Sequence, residues 1–435
     1  MLFHSTRNSE HRVGLSAAIA QGIAPDGGLY VPDSLPSFTP EDFDGLNELA
    51  DIAVRLIRPF AAGDAIEASL QDICRDAFNF PAPLVELNGT PGPASVLELF
   101  HGPTSAFKDF GARFLAASLE RIRTGSKSSR KLSILVATSG DTGGAVAAAF
   151  YHRPWVEVGV LYPKGLVSQR QAQQLACWGD NIHTFRVSGS FDECQRMVKE
   201  AFLDAELNKT HELSSANSIN VGRLLPQMVY YAKSSLELWR RTGKPANYII
   251  PSGNLGNSMA CIWARAMGLP IGEVILATNA NRTIPDFLDS GEWQPRQSVA
   301  TLASAMDVGN PSNMERLRAL YDFAQIKQQV SAVSVDDNAI RARIRNDAQS
   351  LKQIWCPHTA TAAEVYWHLP AAKQQSHWVL VSTAHPAKFN DIVEPLINAA
   401  VPVPPALAKL LSLPQHLVDI EPTLAALKKQ LQGAA

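Results

Sequence analysis

From Val96 onward the chain repeats one pattern: a short apolar or β-branched run, a loop of small residues, and a stretch with helical periodicity. The runs are Val96 to Phe100, Leu132 to Ala137, Val156 to Leu161, Ile182 to Val187, Tyr248 to Ile250, Glu273 to Thr278 and Val379 to Ser382. Strands that alternate with helices need a crossover between neighbours. That predicts a mostly parallel sheet covered on both faces. In such sheets ligands collect beyond the carboxyl ends of the strands, so the loops there are the places to look for chemistry.

The loop after the first run leads to a lysine in an unusual setting. HGPTSA reads as a turn, and Phe110, Phe114, Leu115, Leu119 and Ile122 then recur at helical spacing, so Lys108 opens a helix. Unpaired N–H groups give a helix start partial positive charge, which disfavours an ammonium by roughly 0.3–1 kcal/mol. If the site is also desolvated, the amine's pKa falls below its usual value, and a neutral amine able to form an imine with an aldehyde becomes accessible. The ordinary alternative is a surface lysine whose stem passes the turn.

Four further loops follow strand candidates or precede helices. TSGDTGG, with Thr138, Ser139, Gly140, Asp141 and Thr142, opens a helix of small residues whose first N–H groups suit an anion; the alternative is a tight turn capped by Asp141. PSGNLGN offers Ser252, Gly253, Asn254, Leu255, Gly256 and Asn257 before a helix expected at Ser258 to Met267. It matches neither the Walker nor the GxGxxG pattern, yet successive backbone N–H groups and a few side-chain donors are enough for a phosphate. SSANSINVGRLLPQ crowds Ser218 and Arg223 ahead of another helix, and an arginine fork suits phosphate or carboxylate, although a solvated connection reads equally well. STAHPAKF puts Thr383 at a strand's carboxyl end. His358 and His385 have no companions at metal-ligand spacing and read as core or surface residues, so no metal is expected.

Length and charge set the frame. A chain of 435 residues has room for about three domains and a deep closed pocket. A net charge of -2 gives no reason to expect nucleic acid or an anionic membrane as partner. The five cysteines show no CxxC or metal spacing and read as reduced core thiols. No apolar stretch at the N-terminus is long enough to signal or span, so the expected compartment is the cytoplasm. Residues 1–92 carry helical patterning at Leu15 to Ile23 and Leu46 to Phe60 and read as a small N-terminal helical domain, in which Arg7 and Asp26 are structural.

Together these features resemble the pyridoxal-phosphate (PLP) enzymes of the tryptophan-synthase β type, and within them the threonine synthase family. STRNSE with APDGGLYVPDSLP, HGPTSAFKDFGARF, ATSGDTGGA, SANSIN, PSGNLGN, SAMDVGNPSNMERL and STAHPAKF follow in that family's order over nearly the whole length. The resemblance implies fold type II: two α/β lobes with mostly parallel sheets, plus the N-terminal domain at 1–92. A PLP-binding core at 93–400 would follow, with a mobile smaller lobe at about 100–200, and then a C-terminal helical extension at 401–435.

It implies roles as well. Lys108 would carry PLP, Ser252 to Asn257 would hold the cofactor phosphate, and Thr383 would face the pyridine nitrogen. Thr138 to Thr142 would take the substrate carboxylate, and Ser218 with Arg223 the substrate phosphate. The implied reaction turns O-phospho-L-homoserine and water into L-threonine and phosphate, in a monomer or homodimer. A related phospho-lyase releasing 2-oxobutyrate and ammonia, or a non-catalytic PLP-binding protein, are the alternatives. Many members of the wider group have asparagine where Asp141 stands, so its contact is left unassigned, as is the role of AMDVGNPSN.

Overall fold

The computed structural model describes residues 1–124 and 131–433. Two sheets organise the chain. The larger has six strands in the order Ser331–Ser334, Ile271–Thr278, Ala246–Pro251, Trp378–Ser382, Ala94–Glu98 and Leu84–Glu86. All neighbours are parallel except the last pair. The smaller has five, in the order Val418–Ile420, Ile182–Val187, Val156–Pro163, Leu132–Ala137 and Glu212–Ser214, all parallel.

Side chains alternate across each strand, and both faces are buried. On the large sheet Tyr248, Ile250, Leu276, Val379 and Val381 point into one core while Ile249, Ile275, Ala277 and Leu380 point into another. On the small sheet Ile134, Val136 and Val160 enter the first of these cores, and Leu135, Ala137 and Leu161 a third. One core is therefore shared by the facing sides of both sheets. The helix Lys108–Thr124 contributes Phe110, Phe114 and Leu115 to it, which places the predicted lysine helix between the lobes.

The expected strands are all present, most of them longer by one to three residues, and Lys108 is the first residue of its helix. The first run is shifted, to Ala94–Glu98. The helix after PSGNLGN begins earlier than expected, at Gly256–Ala266.

Other elements were not read from the sequence. Residues 1–92 hold, besides the helices Leu15–Gln21, Leu49–Ala61 and Leu70–Ala77, an antiparallel sheet ordered Asn8–Val13, Phe3–Ser5, Tyr30–Pro32. Their apolar residues, Phe3, Ile19 and Phe60 among them, join the shared core instead of closing one of their own. Within 401–435, whose last two residues lie outside the described chain, the helices Pro405–Leu411 and Leu424–Gly433 flank strand Val418–Ile420, which extends the small sheet. Edge strands such as NSEHRV and SAVS hold no buried residue, so neither carries the apolar alternation that a core face imposes. No helix among the described residues is long and apolar enough to cross a membrane.

The terminal helix should therefore matter to the small lobe. Leu427 is fully buried against it, whereas Leu203 is 85% exposed. Leu427→Ala is expected to cost about 2–5 kcal/mol and Leu203→Ala close to nothing, as read by urea unfolding. Equal effects would show that the C-terminal segment does not complete that core.

Candidate active site

The turn that delivers Lys108 is held from within. Asp109 accepts hydrogen bonds from the Thr104 N–H (2.8 Å) and the Thr104 hydroxyl (2.6 Å), closing HGPTSAFKD on itself. Gly102 is required there, since a Cβ would lie 2.5 Å from Asp109 Oδ2. Ser105 takes a left-handed conformation (φ 55°), which is strained for a residue with a side chain, and its buried hydroxyl has no partner. The Phe107 N–H then donates to the Thr383 carbonyl (2.9 Å), so the lysine and the predicted threonine meet at adjoining strand ends. Among the described residues no hydrogen bond engages the Thr383 hydroxyl.

Lys108 keeps part of its surface open, so its amine belongs to a cleft. Loss of solvation lowers its pKa to about 8; the Asp141 carboxylate opposes that fall, and Arg223 and Lys388 add to it. A substantial fraction is therefore neutral near physiological pH.

Asp141 begins the helix Asp141–Phe150 and is buried. Its Oδ1 lies 2.8 Å from Lys388 Nζ and accepts from Gln171 Nε2 at 3.1 Å. Burial pushes the Asp141 carboxyl up, but the charges of Lys388 and Lys108 outweigh it and hold the group ionised. Lys388 is itself buried and also donates to the Thr104 carbonyl (2.8 Å). His358 Nε2 accepts from the Ala305 N–H (3.1 Å), and burial lowers its pKa to about 4, which makes it a neutral ring.

Among the expected anion-binding residues the structure separates two kinds. The Thr138 hydroxyl is used inside its own turn, accepting from the Gly140 and Gly143 N–H groups (3.0 and 2.9 Å). The Asp141 carboxylate is committed to Lys388 and Gln171, and would in any case repel a substrate carboxylate. Ser139 and Thr142 are partly open, and with the first N–H groups of the helix they remain the anion-directed part of TSGDTG.

The other two loops are joined. Asn254 Nδ2 donates to the Ser218 hydroxyl (2.6 Å), Asn254 Oδ1 accepts from the Ser312 N–H (2.5 Å), and Asn313 Nδ2 donates to the Asn254 carbonyl (2.9 Å). Leu255 holds a left-handed conformation (φ 62°) where the helix Gly256–Ala266 starts. Ser252 is buried, and its hydroxyl donates to the Ile250 carbonyl (2.9 Å). A Cβ on Gly253 would stand 2.7 Å from Met306 Cα, so this glycine admits the AMDVGNPSN backbone, and a substitution there would disturb loop packing directly. Asn257 Oδ1 accepts from the hydroxyls of Tyr230 (2.5 Å) and Tyr231 (2.8 Å), which leaves its buried Nδ2 without a partner.

Arg223 is buried beside the lysine helix. Its Nη1 donates to the Ala216 carbonyl (2.5 Å), its Nε has no partner among the described residues, and a Cβ on Gly111 would lie 2.9 Å from that Nε. The charge of Arg223 reaches the Lys108 amine and helps to lower its pKa.

The sequence did not reveal Lys388, Gln171, Asn313 or Arg316. Each is an unremarkable residue on a helix or loop, and only packing brings it to the site. The neutral His358 had been noticed only as an unattached histidine.

The chain resembles known proteins over its whole length. The family signature "Pyridoxal-phosphate dependent enzyme" matches residues 77–384, "Threonine synthase N terminus" residues 2–78, and "Threonine synthase, C-terminal" residues 359–431. A threonine synthase of Serratia marcescens is 39% identical over 438 aligned positions, covering 100% of this chain and 99% of that protein. The crystal structure of threonine synthase from Escherichia coli superposes with a TM-score of 0.88 at 36% identity, over 100% of both chains. A PLP-bound threonine synthase from Brucella melitensis gives 0.91 at 31% identity, over 100% of this chain and 99% of that one.

His358 makes the site sensitive to acid. Its folded pKa, about 4, lies below the unfolded value of about 6.5, so the unfolded chain binds the proton first and stability is lost as pH falls from about 6.5 to about 4. The loss from this one group is on the order of 3 kcal/mol. Thermal unfolding of the native protein should therefore decline more steeply over that interval than that of His358→Gln. Parallel declines would exclude a buried neutral imidazole.

Proposed function

The chain belongs to the threonine synthase family of PLP-dependent enzymes, and from that membership we propose that it converts O-phospho-L-homoserine and water to L-threonine and phosphate. The observation that supports this most is Lys108, a partly neutral amine at a helix start, tied through Phe107 to the Thr383 strand end. In this reading Lys108 carries the cofactor. Ser252 to Asn257 hold its phosphate, to which the unpaired Asn257 amide nitrogen is suited. Thr383, with its free hydroxyl, faces the pyridine nitrogen. A hydroxyl there does not enforce ring protonation as a carboxylate would.

Bound there, PLP supplies the electron sink that makes the substrate's Cα and Cβ hydrogens acidic. The protein does the rest. Ser139, Thr142 and the N–H groups beginning the helix at Asp141 orient the substrate carboxylate. Arg223 and Ser218 hold the substrate phosphate. Lys108 Nζ, near its pKa at physiological pH, can both take a proton from Cα and return one. Overall the Cγ–oxygen bond breaks, Cβ loses a hydrogen and gains a water hydroxyl, and Cγ gains a proton. Closure of the smaller lobe, roughly residues 100–200, would exclude other waters.

Two experiments test this. In heavy-oxygen water, threonine should be the main organic product with label in its hydroxyl, while the released phosphate keeps the substrate's Cγ oxygen. A mixture dominated by 2-oxobutyrate would instead identify a lyase, and labelled phosphate with unlabelled homoserine a phosphatase. Separately, Arg223→Met should raise KM for O-phosphohomoserine by roughly 10- to 100-fold, the loss of one charge-assisted contact, while PLP retention changes little. Equal loss of substrate and cofactor would mean that Arg223 does not serve the substrate.

A further inference from the structure

We propose that Lys388, paired with Asp141, is a positioning residue that sets the charge felt by Lys108 and ties the small lobe's helix start to the turn that delivers that lysine. The connection is geometric. Lys388 Nζ bonds Asp141 Oδ1 and the Thr104 carbonyl, each at 2.8 Å, and Thr104 in turn is clasped by Asp109, the residue after Lys108. Gln171 and Gln174, one turn apart on helix Gln169–Ala176, close the same network from the small lobe, reaching Asp141 Oδ1 (3.1 Å) and the Thr104 carbonyl (3.1 Å). The backbone that carries Lys388 is fixed from that helix too. The Ser168 hydroxyl donates to the Lys388 carbonyl (2.9 Å) and Arg170 Nη1 to the Ala387 carbonyl (2.6 Å).

The chemistry explains why a lysine stands there. A buried carboxylate without a cation becomes protonated and ceases to act as a charge. Lys388 keeps Asp141 ionised, and the pair then presents Lys108 with two opposed influences: Asp141 favours its ammonium form and Lys388 disfavours it. Arg223 also disfavours the ammonium, and His358, which faces Asp141, is neutral. Asp109 lies close enough to feel Lys388, though burial and its Thr104 bonds dominate its own titration. The paired aspartate also gives a reason for Asp141 where much of the wider group has asparagine: a neutral amide would leave Lys388 a buried, unpaired cation. The inference rests on Lys108 as the reactive lysine, but its test reads that amine directly and does not need turnover.

The test is competitive acetylation of the full-length, cofactor-free chain across pH 6–10, with the Lys108 peptide quantified by mass spectrometry and folding checked by circular dichroism. At pH 7, Lys388→Met leaves Lys108 as the cation beside Asp141, so the carboxylate stays ionised by holding the Lys108 ammonium and Lys108 should become about tenfold less reactive, as for a rise of one pKa unit; Asp141→Asn should make it at least about threefold more reactive. The double variant buries no unpaired charge, so it should fold and return reactivity toward that of the native chain. It keeps the test decisive if Lys388→Met alone unfolds, because Asp141→Asn and the double variant must still differ. Unchanged Lys108 reactivity in these variants, or shifts in the same direction for both single changes, would show that the pair is only a structural tie. No threonine formation by the native, PLP-loaded chain, with these shifts intact, would count against the proposed reaction and leave the pair's role standing.

Discussion

Desolvation of one amine is the constraint around which the site is built. An ammonium in a protein-lined cleft, at the positive end of a helix and near two other cations, is disfavoured on every count except its attraction to Asp141. The fold therefore keeps Lys108 close to the point at which it gains or loses a proton. That state would be useless if the lysine could swing out to water, and the turn prevents it. Asp109 closes the turn, Ser105 accepts a strained backbone to shape it, and the bond from Phe107 to Thr383 sews it to the central strand of the large sheet.

Much of this could be read from the sequence because buried parallel strands and their loops leave strong local traces. The runs LSILVA and IHTFRV matched their strands in full, and Lys108 matched its helix start, since apolar periodicity and a turn of small residues are encoded within a dozen positions. Asn8–Val13 and Glu212–Ser214 were illegible for the opposite reason. Asn8–Val13 has no buried residue and Glu212–Ser214 is three residues long, so neither carries an apolar alternation to betray it. At the site, residues that present themselves in loops were found, and those that act across long sequence separations were not. Lys388 lies 247 positions after Asp141 by their numbering, with no pattern linking them. The aspartate itself looked like a helix cap or an anion-site residue, and only the buried lysine opposite it shows what the negative charge answers.

The AMDVGNPSN segment, which had no evident purpose in the sequence, acquires one in three dimensions. Met306 lies against Gly253, leaving no room for a side chain there, while Ser312 and Asn313 hold the side-chain oxygen and the carbonyl of Asn254. Asp307 is occupied elsewhere in the same segment, accepting from Thr301 (2.7 Å) and Asn279 (2.7 Å), which fixes the path of the loop before it reaches the glycine. The Asn254 loop, already joined to Ser218, is thus shaped by a third segment.

Order in that third segment comes from the N-terminal part of the chain. Arg316 is fully buried, and it donates to the Tyr30 carbonyl (3.0 Å), the Ile219 carbonyl (2.5 Å) and Asn313 Oδ1 (2.5 Å). By accepting from Arg316, the Asn313 oxygen turns its amide nitrogen toward the Asn254 carbonyl, and the Ile219 bond holds the loop that carries Ser218. A guanidinium buried this deeply is tolerable only while its partners remain, since removing one leaves charge and donors unsatisfied in the interior. Tyr30 belongs to the N-terminal sheet, whose apolar residues lie in the core shared by both lobes. The N-terminal segment therefore supports the Asn254 and Ser218 loops from behind, because one arginine joins its backbone to both.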